Sequence, residues 1–241
     1  MLYRLNYIWR LLATGFAFSI FGLGGFLVPL CAVPVLFLTS KDQQVRQRRA
    51  RKLIHWVFNA FIKMARALGI LTWDIEGLER LQKSGILILA NHPTLLDVVF
   101  LVAFIPNADC IVKSGLLKNP AMRGFVNLAG YITNNSGEEL IGLSAKSVIN
   151  GSALIIFPEG TRTKDDHDLS FRRGAANIAV RGNIRPTPVV IKCNPATLSK
   201  QHKWYHIPAR KFHLSIQVHS ELNIDEYRKL NASLGARRLT R

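Results

Sequence analysis

A histidine and an aspartate stand five positions apart, directly after an apolar run. The block Asn-His-Pro-Thr-Leu-Leu-Asp at positions 91–97 follows Ile-Leu-Ile-Leu at positions 86–89, a run typical of a buried strand. Proline suits the first helical position, so we predict a helix that begins at Pro93, with His92 in the turn before it. Folded back over the first helical turn, His92 could donate its Nδ1 proton to Asp97 and keep Nε2 free as a general base. The local pattern alone fits equally well a histidine in a turn and a carboxylate at a helix N-terminus.

A second block, Phe-Pro-Glu-Gly-Thr-Arg at positions 157–162, also follows an apolar run. Its proline and glycine predict a turn that ends a strand. This turn would display Glu159, Thr161 and Arg162. A guanidinium holds a phosphate through two parallel hydrogen bonds, and Glu159 could order that arginine or bind an acceptor hydroxyl. On this pattern alone, a tight turn that carries a surface ion pair is the common alternative.

The chain around these blocks alternates short β-rich runs with helical patterns. Strands are predicted at residues 71–75, 86–90, 110–112, 153–157, 187–191 and 212–218, and helices at residues 95–104, 121–128, 138–149 and 175–180. This order is typical of an α/β fold. We therefore predict a mixed sheet flanked by helices, with an N-terminal membrane-anchoring helical segment. The basic tail, residues 237–241, is expected to fray.

The N-terminal part of the chain has the composition of a membrane anchor, since residues 11–38 contain no charged side chain. A helix needs roughly 20 apolar residues to cross a bilayer, and the basic residues that follow favour a cytoplasmic location for the remainder. Glycines and prolines inside the stretch could instead bend it into a re-entrant hairpin, and both arrangements stay open. We predict an anchor with its basic flank at residues 1–52 and a catalytic domain at residues 53–241. The catalytic domain would lie on the cytoplasmic face of a bacterial-type inner membrane.

Residues 53–68 carry apolar side chains at helical spacing. A basic run precedes them, so this helix could lie on anionic lipid headgroups. It could equally pack on the catalytic domain.

Charge and hydrophobicity together indicate a membrane surface as a partner. The net charge is +17, and 49% of the residues are hydrophobic. Such a charge favours a polyanionic partner, but a nucleic-acid-binding chain would be more polar, so we predict no nucleic-acid partner. The three cysteines form no CxxC pair. Their spacing argues against a disulfide framework or a metal site and favours a reducing compartment.

The two blocks, in this order and each after a predicted strand, resemble the glycerolipid acyltransferase family, and most closely its 1-acylglycerol-3-phosphate acyltransferases. The resemblance covers residues 71–191, and an N-terminal anchor is also usual for that family. It implies that His92 activates an acceptor hydroxyl, which attacks an acyl thioester directly, while Asp97 supports the histidine. It implies no acyl-enzyme, metal or other cofactor.

The resemblance also implies which residues bind substrate. Arg162 is similar to the family's phosphate-binding arginine, and Glu159 to its acceptor-side glutamate. The full set expected to bind substrate is Asn91, Asn134, Glu159, Gly160, Thr161, Arg162 and Arg172. The donor is expected to be acyl-CoA or acyl carrier protein. Charge does not decide between them, because a basic enzyme attracts both anionic donors.

One position departs from the family pattern. The family's middle motif normally ends in an arginine that contacts the acceptor phosphate, whereas here Gly-Tyr-Ile-Thr at positions 130–133 leads into Asn134. Asparagine can form hydrogen bonds but supplies no charge. We expect 1-acylglycerol-3-phosphate as the acceptor, with another lysophospholipid or a hydroxyacyl-amino-acid lipid as the alternative. A non-catalytic lipid-binding module is an alternative of a different class, but such a module would need neither His92 nor Asp97.

Overall fold

The computed structural model describes residues 2–134, 137–163 and 170–240. The helices in this part of the chain are α1 (Leu2–Thr39), α2 (Gln43–Ala67), α3 (Asp97–Phe104), α4 (Pro120–Ala129), α5 (Gly137–Ile149), α6 (Arg173–Gly182), α7 (Asp225–Arg228) and α8 (Ala232–Leu239). The strands are β1 (Leu71–Glu76), β2 (Leu87–Ala90), β3 (Ala108–Val112), β4 (Ile132–Thr133), β5 (Ala153–Ile156), β6 (Pro186–Asn194) and β7 (Phe212–Val218). Two 3-10 turns cover Leu78–Gln82 and Ser114–Lys118.

The seven strands form one mixed sheet in the order β1-β7-β6-β2-β5-β3-β4. All neighbours are parallel except β6 and β7, which are antiparallel. The central strands β2 and β5 are apolar on both faces because helices cover both sides of a parallel sheet, and Leu87, Ile88, Leu154 and Ile155 are fully buried. The predicted fold class, a mixed sheet flanked by helices with an N-terminal apolar helix, is confirmed.

The first two helices form an antiparallel pair. At one end Trp9 Nε1 donates to the carbonyl of Leu68 (3.0 Å), and at the other the Arg46 guanidinium lies 4.3 Å from the centre of the Phe37 ring. α1 is one continuous helix of 38 residues, about 57 Å long at 1.5 Å per residue. The bend that its glycines and prolines made possible is therefore absent. Among the described residues, α1 is the one helix long and apolar enough to cross a membrane, judged by length and composition alone.

The backbones of α1 and α4 lie in direct contact at two glycines, Gly25 and Gly124. A Cβ atom built on Gly25 would lie 2.1 Å from the carbonyl oxygen of Ala121, and one on Gly124 would lie 2.7 Å from the carbonyl oxygen of Gly25. Both distances are far below van der Waals contact, so only glycine fits at these positions. Next to this contact Phe21 of α1 packs on Phe58 and Phe125, with ring centres 5.7 and 6.3 Å away. The apolar helix α1 is thus an integral part of the fold.

A buried ion pair fixes α2 to the sheet. Arg51 Nη2 lies 2.8 Å from Asp109 Oδ2, and the two side chains are only 6% and 3% exposed. Arg51 also donates to the carbonyl of Ala129 (2.9 Å) and to Ser152 Oγ (2.8 Å), while Ser147 Oγ donates to Asp109 (2.6 Å). Burial raises the pKa of Asp109, and the nearby Arg51 charge opposes that shift. The pair of Arg51 and Asp109 therefore joins α2, β3, α4 and α5, and Arg51 does not belong to an exposed basic flank.

The C-terminal tail is not frayed over residues 237–239, because α8 continues to Leu239 and buries Gly235 and Ala236.

The expected boundary between residues 52 and 53 lies inside α2, one residue after the buried Arg51. The face of α2 that buries Ile54, Phe58 and Ile62 packs on the rest of the protein. The division into anchor and catalytic domain stays a prediction.

We expect Arg51→Met to lower the free energy of unfolding by about 3 kcal/mol or more, because it leaves the Asp109 carboxylate buried without its cation. Thermal and denaturant unfolding in detergent, followed by circular dichroism, measures the change. The matched control is Arg185→Met, which breaks a pair with Asp225 whose side chains are 53% and 45% exposed and should cost under about 1 kcal/mol. Equal, small effects of the two substitutions would show that the buried pair does not hold α2 in place.

Candidate active site

The two sequence blocks meet at the carboxyl end of the parallel strands. In the register of β2 and β5, Leu89 lies opposite Ile156. His92 and Glu159 each come three residues after these positions, so the two chains leave the sheet side by side. Ligand sites of open α/β sheets form at this edge.

His92 and Asp97 are hydrogen-bonded. His92 Nδ1 lies 2.8 Å from Asp97 Oδ2, and because a carboxylate only accepts, Nδ1 carries the proton in this contact. Asp97 is fully buried, while the His92 side chain is 19% exposed. The Phe157 ring stacks on the imidazole with a centre-to-centre distance of 4.2 Å and an interplanar angle of 25°. This contact fixes the plane of the ring, and the Nδ1 bond leaves Nε2 as its free basic nitrogen.

Thr94 holds the Asp97 carboxylate through two hydrogen bonds. Asp97 Oδ2 accepts from the backbone N–H of Thr94 (2.7 Å), and Oδ1 accepts from Thr94 Oγ1 (2.7 Å). Burial raises the pKa of Asp97, and the hydrogen bonds from His92 and Thr94 oppose that shift.

The prediction that a helix begins at Pro93 is wrong, since α3 begins at Asp97. The turn at residues 94–96 is stabilised by the Asp97 carboxylate instead, which places Asp97 at the first helical position and within reach of His92.

Glu159 and Thr163 clamp the histidine's backbone. The N–H of His92 donates to Glu159 Oε1 (3.0 Å) and to Thr163 Oγ1 (3.2 Å), and Thr163 Oγ1 donates to the same glutamate oxygen (2.8 Å). In return the N–H of Thr163 donates to the carbonyl of His92 (2.7 Å). Glu159 is buried, with 8% exposure. Its partners in the structure are the N–H of His92 and the hydroxyl of Thr163. Its contact with an acceptor hydroxyl stays a prediction.

Arg162 is anchored by a neighbouring loop. Both hydrogen bonds found for it come from Nη1, which donates to the carbonyls of Leu198 (2.9 Å) and Ser199 (2.7 Å). A guanidinium has five N–H donors, and within residues 2–134, 137–163 and 170–240 no hydrogen bond uses Nε or Nη2. An arginine held in this way presents a fixed fork suited to phosphate.

Asn91, expected to bind substrate, forms two hydrogen bonds to the backbone of β6 through its side-chain amide. Its Nδ2 donates to the carbonyl of Ile191 (2.8 Å), and its Oδ1 accepts from the N–H of the same residue (2.6 Å). The side chain therefore bonds the end of β2 to β6, where it replaces a backbone partner. These two bonds use one of the two Nδ2 hydrogens and one of the two Oδ1 lone pairs, so substrate binding by Asn91 stays a prediction.

The remaining predicted residues surround this centre. Gly160 adopts a positive φ of 65°, and a Cβ there would lie 2.9 Å from Arg172 Nε, so the Arg172 side chain lies directly over the turn. Thr161 is half-buried in the same turn. Asn134 follows β4 and is exposed, and its Oδ1 accepts from the N–H of Ser114 (3.3 Å).

Sequence reasoning missed the two threonines that hold the acidic side chains. Thr94 and Thr163 each hydrogen-bond a carboxylate of the site, and their only sequence signal is their position inside or next to a block. Lys113 is a further cation at this edge. It follows β3 directly, and the pairing of Val112 with Thr133 sets it beside Asn134.

The chain is similar to known acyltransferases. A family model described as Acyltransferase matches residues 73–192, about half of the chain. A putative 1-acyl-sn-glycerol-3-phosphate acyltransferase of Caenorhabditis elegans is 28% identical over 168 residues, which are 65% of this chain and 56% of the relative. A 1-acyl-sn-glycerol-3-phosphate acyltransferase of Saccharomyces cerevisiae is 33% identical over 133 residues, which are 52% of this chain and 44% of the relative. The matched part thus spans about half the length of these relatives.

A solved structure shares the fold. The crystal structure of PlsC, a 1-acyl-sn-glycerophosphate acyltransferase from Thermotoga maritima, superposes with a TM-score of 0.67 at 22% identity and covers 98% of this chain and 94% of its own. The superposition includes the N-terminal helices as well as the sheet, because so little of either chain lies outside it. By its two blocks, their shared position at the sheet edge and the matched family model, the chain belongs to the acyltransferase family.

Proposed function

We propose that this protein transfers a fatty acyl group from an acyl thioester to the free hydroxyl of 1-acylglycerol-3-phosphate at a membrane surface. The observation that carries the proposal is the hydrogen bond of 2.8 Å between His92 Nδ1 and the buried Asp97 carboxylate. It holds the imidazole in the tautomer whose Nε2 can accept a proton. The names of the relatives and the apolar α1 support the choice of a lipid acceptor.

The chemistry needs one base and no covalent intermediate. Nε2 of His92 removes the proton of the acceptor hydroxyl while its oxygen attacks the thioester carbonyl carbon. The carbon–sulfur bond then breaks, and the departing thiolate takes the proton from the imidazolium, which yields an ester and a free thiol. Asp97 stabilises the imidazolium between these two steps, and its burial strengthens that interaction because little water screens it.

Two cations at the sheet edge suit the acceptor's phosphate. Among the residues that the structure describes, no partner takes Nε or Nη2 of Arg162, and its Nη1 bonds to Leu198 and Ser199 fix its orientation. Lys113 lies beside Asn134 in the register of β3 and β4, where it can supply the charge that Asn134 lacks. The donor, acyl-CoA or acyl carrier protein, is anionic in either case, and the basic chain attracts both.

The contacts of α1 support an in-plane membrane attachment, with α1 in one leaflet. Near its start Arg10 donates to the carbonyls of Pro208 and Ala209 (2.8 and 2.6 Å), and near its end Leu36 packs with Ala50 of α2. A helix bound to the domain over this length cannot cross a bilayer without drawing the arginines of α2 into hydrocarbon, which costs about 3 kcal/mol or more for each. The opposite side of α1 exposes large apolar side chains, including Leu12, Leu23 and Leu30 at 65%, 57% and 71%. These side chains suit the acyl region of the nearer leaflet.

We expect His92→Ala and Asp97→Asn each to lower kcat/KM for acyl transfer by about 10²-fold or more, with folding unchanged. The alanine removes the base, and the amide favours the wrong imidazole tautomer. The chain offers a matched control in a second histidine–aspartate pair, His213 and Asp74, whose side chains are 44% and 50% exposed on the sheet. His213→Ala and Asp74→Asn should keep near wild-type rates. A His92→Ala enzyme that retains more than about a tenth of the wild-type rate would remove His92 as the base.

We expect Asn134→Arg to raise the preference for 1-acylglycerol-3-phosphate over a lysophosphodiester acceptor by about tenfold, because a charge-assisted hydrogen bond to phosphate adds roughly 1.5 kcal/mol or more. The measurement is the ratio of kcat/KM values for the two acceptors in both enzymes. Asn150→Arg adds the same charge just before β5, at the amino end of the strand and so away from the site. It should leave the ratio unchanged. A wild-type ratio already above about 100 in favour of 1-acylglycerol-3-phosphate would show that Asn134 does not limit this preference.

The in-plane arrangement predicts that both ends of α1 face the same side of the membrane. In a Cys31→Ser background, we expect Arg4→Cys and Lys41→Cys to react with a membrane-impermeant maleimide from one side of sealed vesicles only. Lys229→Cys, on the exposed surface next to α7, marks the side that carries the catalytic domain. Labelling of Arg4→Cys from the side opposite to Lys41→Cys and Lys229→Cys would establish a spanning helix instead.

A further inference from the structure

The connection between β6 and β7 is far longer than its geometry requires. These strands are antiparallel neighbours, which a loop of about two to five residues can join. Here the connection, the β6–β7 loop, takes the 17 residues 195–211. Loops of this length in a compact domain commonly carry function.

The outer part of the β6–β7 loop is aromatic and basic. Trp204 and Tyr205 are 46% and 42% exposed. The loop contains four lysines or arginines and no acidic residue. All four cations are exposed, namely Lys200, Lys203, Arg210 and Lys211. In the described part of the chain, none of them forms an ion pair with a carboxylate.

The loop lies against the apolar helix α1. The Trp204 ring is centred 5.8 Å from that of Phe18, and a Cβ built on Gly15 would lie 3.6 Å from the indole. Arg10 binds two carbonyls of the same loop, those of Pro208 and Ala209. An exposed indole and phenol beside an exposed apolar helix, with cations around them, have the composition of a membrane–water interface.

The part of the loop near β6, which we call the loop base, contacts the active site. The carbonyl of Leu198 accepts from the N–H of Leu95 (3.0 Å) and from Arg162 Nη1 (2.9 Å). Leu198 holds a φ of 52°, a left-handed conformation that is uncommon for a branched residue and that clusters near functional sites. Between this base and α1 lies an apolar cavity that Phe18, Leu96 and Trp204 line. The loop thus links α1 to the residues around Asp97 and Arg162.

We infer that the β6–β7 loop is a second membrane-contacting surface, which docks on anionic lipid headgroups with Trp204 at the edge of the hydrocarbon. Its cations bind lipid phosphates, and each contributes roughly a fivefold gain in surface affinity. Because Arg162 holds the loop's base, docking fixes the active site at headgroup height, where a lysolipid presents its hydroxyl. The inference rests on the proposed membrane attachment of α1 and goes beyond it in naming a second contact and its lipid preference.

Fluorescence of the full chain reconstituted in vesicles tests the contact directly. Vesicles with brominated acyl chains quench tryptophans at the interface, and the difference between wild type and Trp204→Phe isolates the contribution of Trp204. Trp73→Phe serves as the internal comparison, since Trp73 packs on Phe100 and Phe104 with ring centres 5.6 and 6.4 Å away. We expect strong quenching of Trp204 in vesicles that contain phosphatidylglycerol and little quenching of Trp73.

A pair of charge variants tests the lipid preference. Lys200→Gln/Lys203→Gln should need at least about twice the mole fraction of phosphatidylglycerol in phosphatidylcholine to reach half-maximal quenching of Trp204. Arg237→Gln/Arg238→Gln removes the same charge from α8 and should behave as wild type. Equal shifts in the two variants would overturn the specific role of the loop's lysines.

The outcomes separate the loop from the anchor. Quenching of Trp9, obtained from Trp9→Phe, reports α1, where this side chain is 54% exposed. Quenched Trp9 with unquenched Trp204 would refute docking of the loop and leave the attachment through α1 intact. Loss of both signals would contradict the membrane attachment itself.

Discussion

The site depends on one carboxylate that is buried away from bulk solvent. Asp97 is fully buried and accepts hydrogen bonds from His92 Nδ1, the N–H of Thr94 and Thr94 Oγ1. A buried carboxylate is costly unless its oxygens are satisfied, and here three donors satisfy them. The same bonds set where α3 begins, fix the turn before it and select the tautomer of His92. Removing the carboxylate therefore changes the catalytic geometry as well as a charge.

The rest of the fold brings the second block to this carboxylate. The register of β2 with β5 sets His92 beside Glu159, and reciprocal hydrogen bonds between His92 and Thr163 join the two chain segments. One of these bonds joins two peptide groups, and the other ends on the Thr163 hydroxyl. Arg162 then extends the connection to the loop at Leu198 and Ser199. The proposed base His92, the expected phosphate ligand Arg162 and that loop consequently form one connected unit.

Local patterns in the sequence predicted most strands, because central strands such as β2 and β5 are apolar runs that a turn signal ends. β7, which alternates buried and half-buried residues, begins and ends at the predicted residues, and the fold class is as expected. What the local pattern does not show is a partner distant in the chain. The side chain of Asn91, still expected to bind substrate, also bonds the backbone of Ile191. Arg51 looked like part of a membrane-facing basic run, but its partner is Asp109. No local spacing encodes such pairs, and the same holds for the carbonyls that bind Arg162.

The central claim is that His92 acts as a base on the acceptor hydroxyl, with no covalent acyl-enzyme. Its most direct test mixes purified enzyme with excess acyl thioester in the absence of acceptor, follows thiol release on the millisecond scale and determines the mass of the intact protein. The account predicts no burst of thiol and no added acyl mass. Thiol release should begin only when a lysolipid with a free hydroxyl is added, and it should match ester formation one to one. A stoichiometric burst of thiol, with a protein heavier by one acyl group, would contradict direct transfer and make a protein side chain the nucleophile.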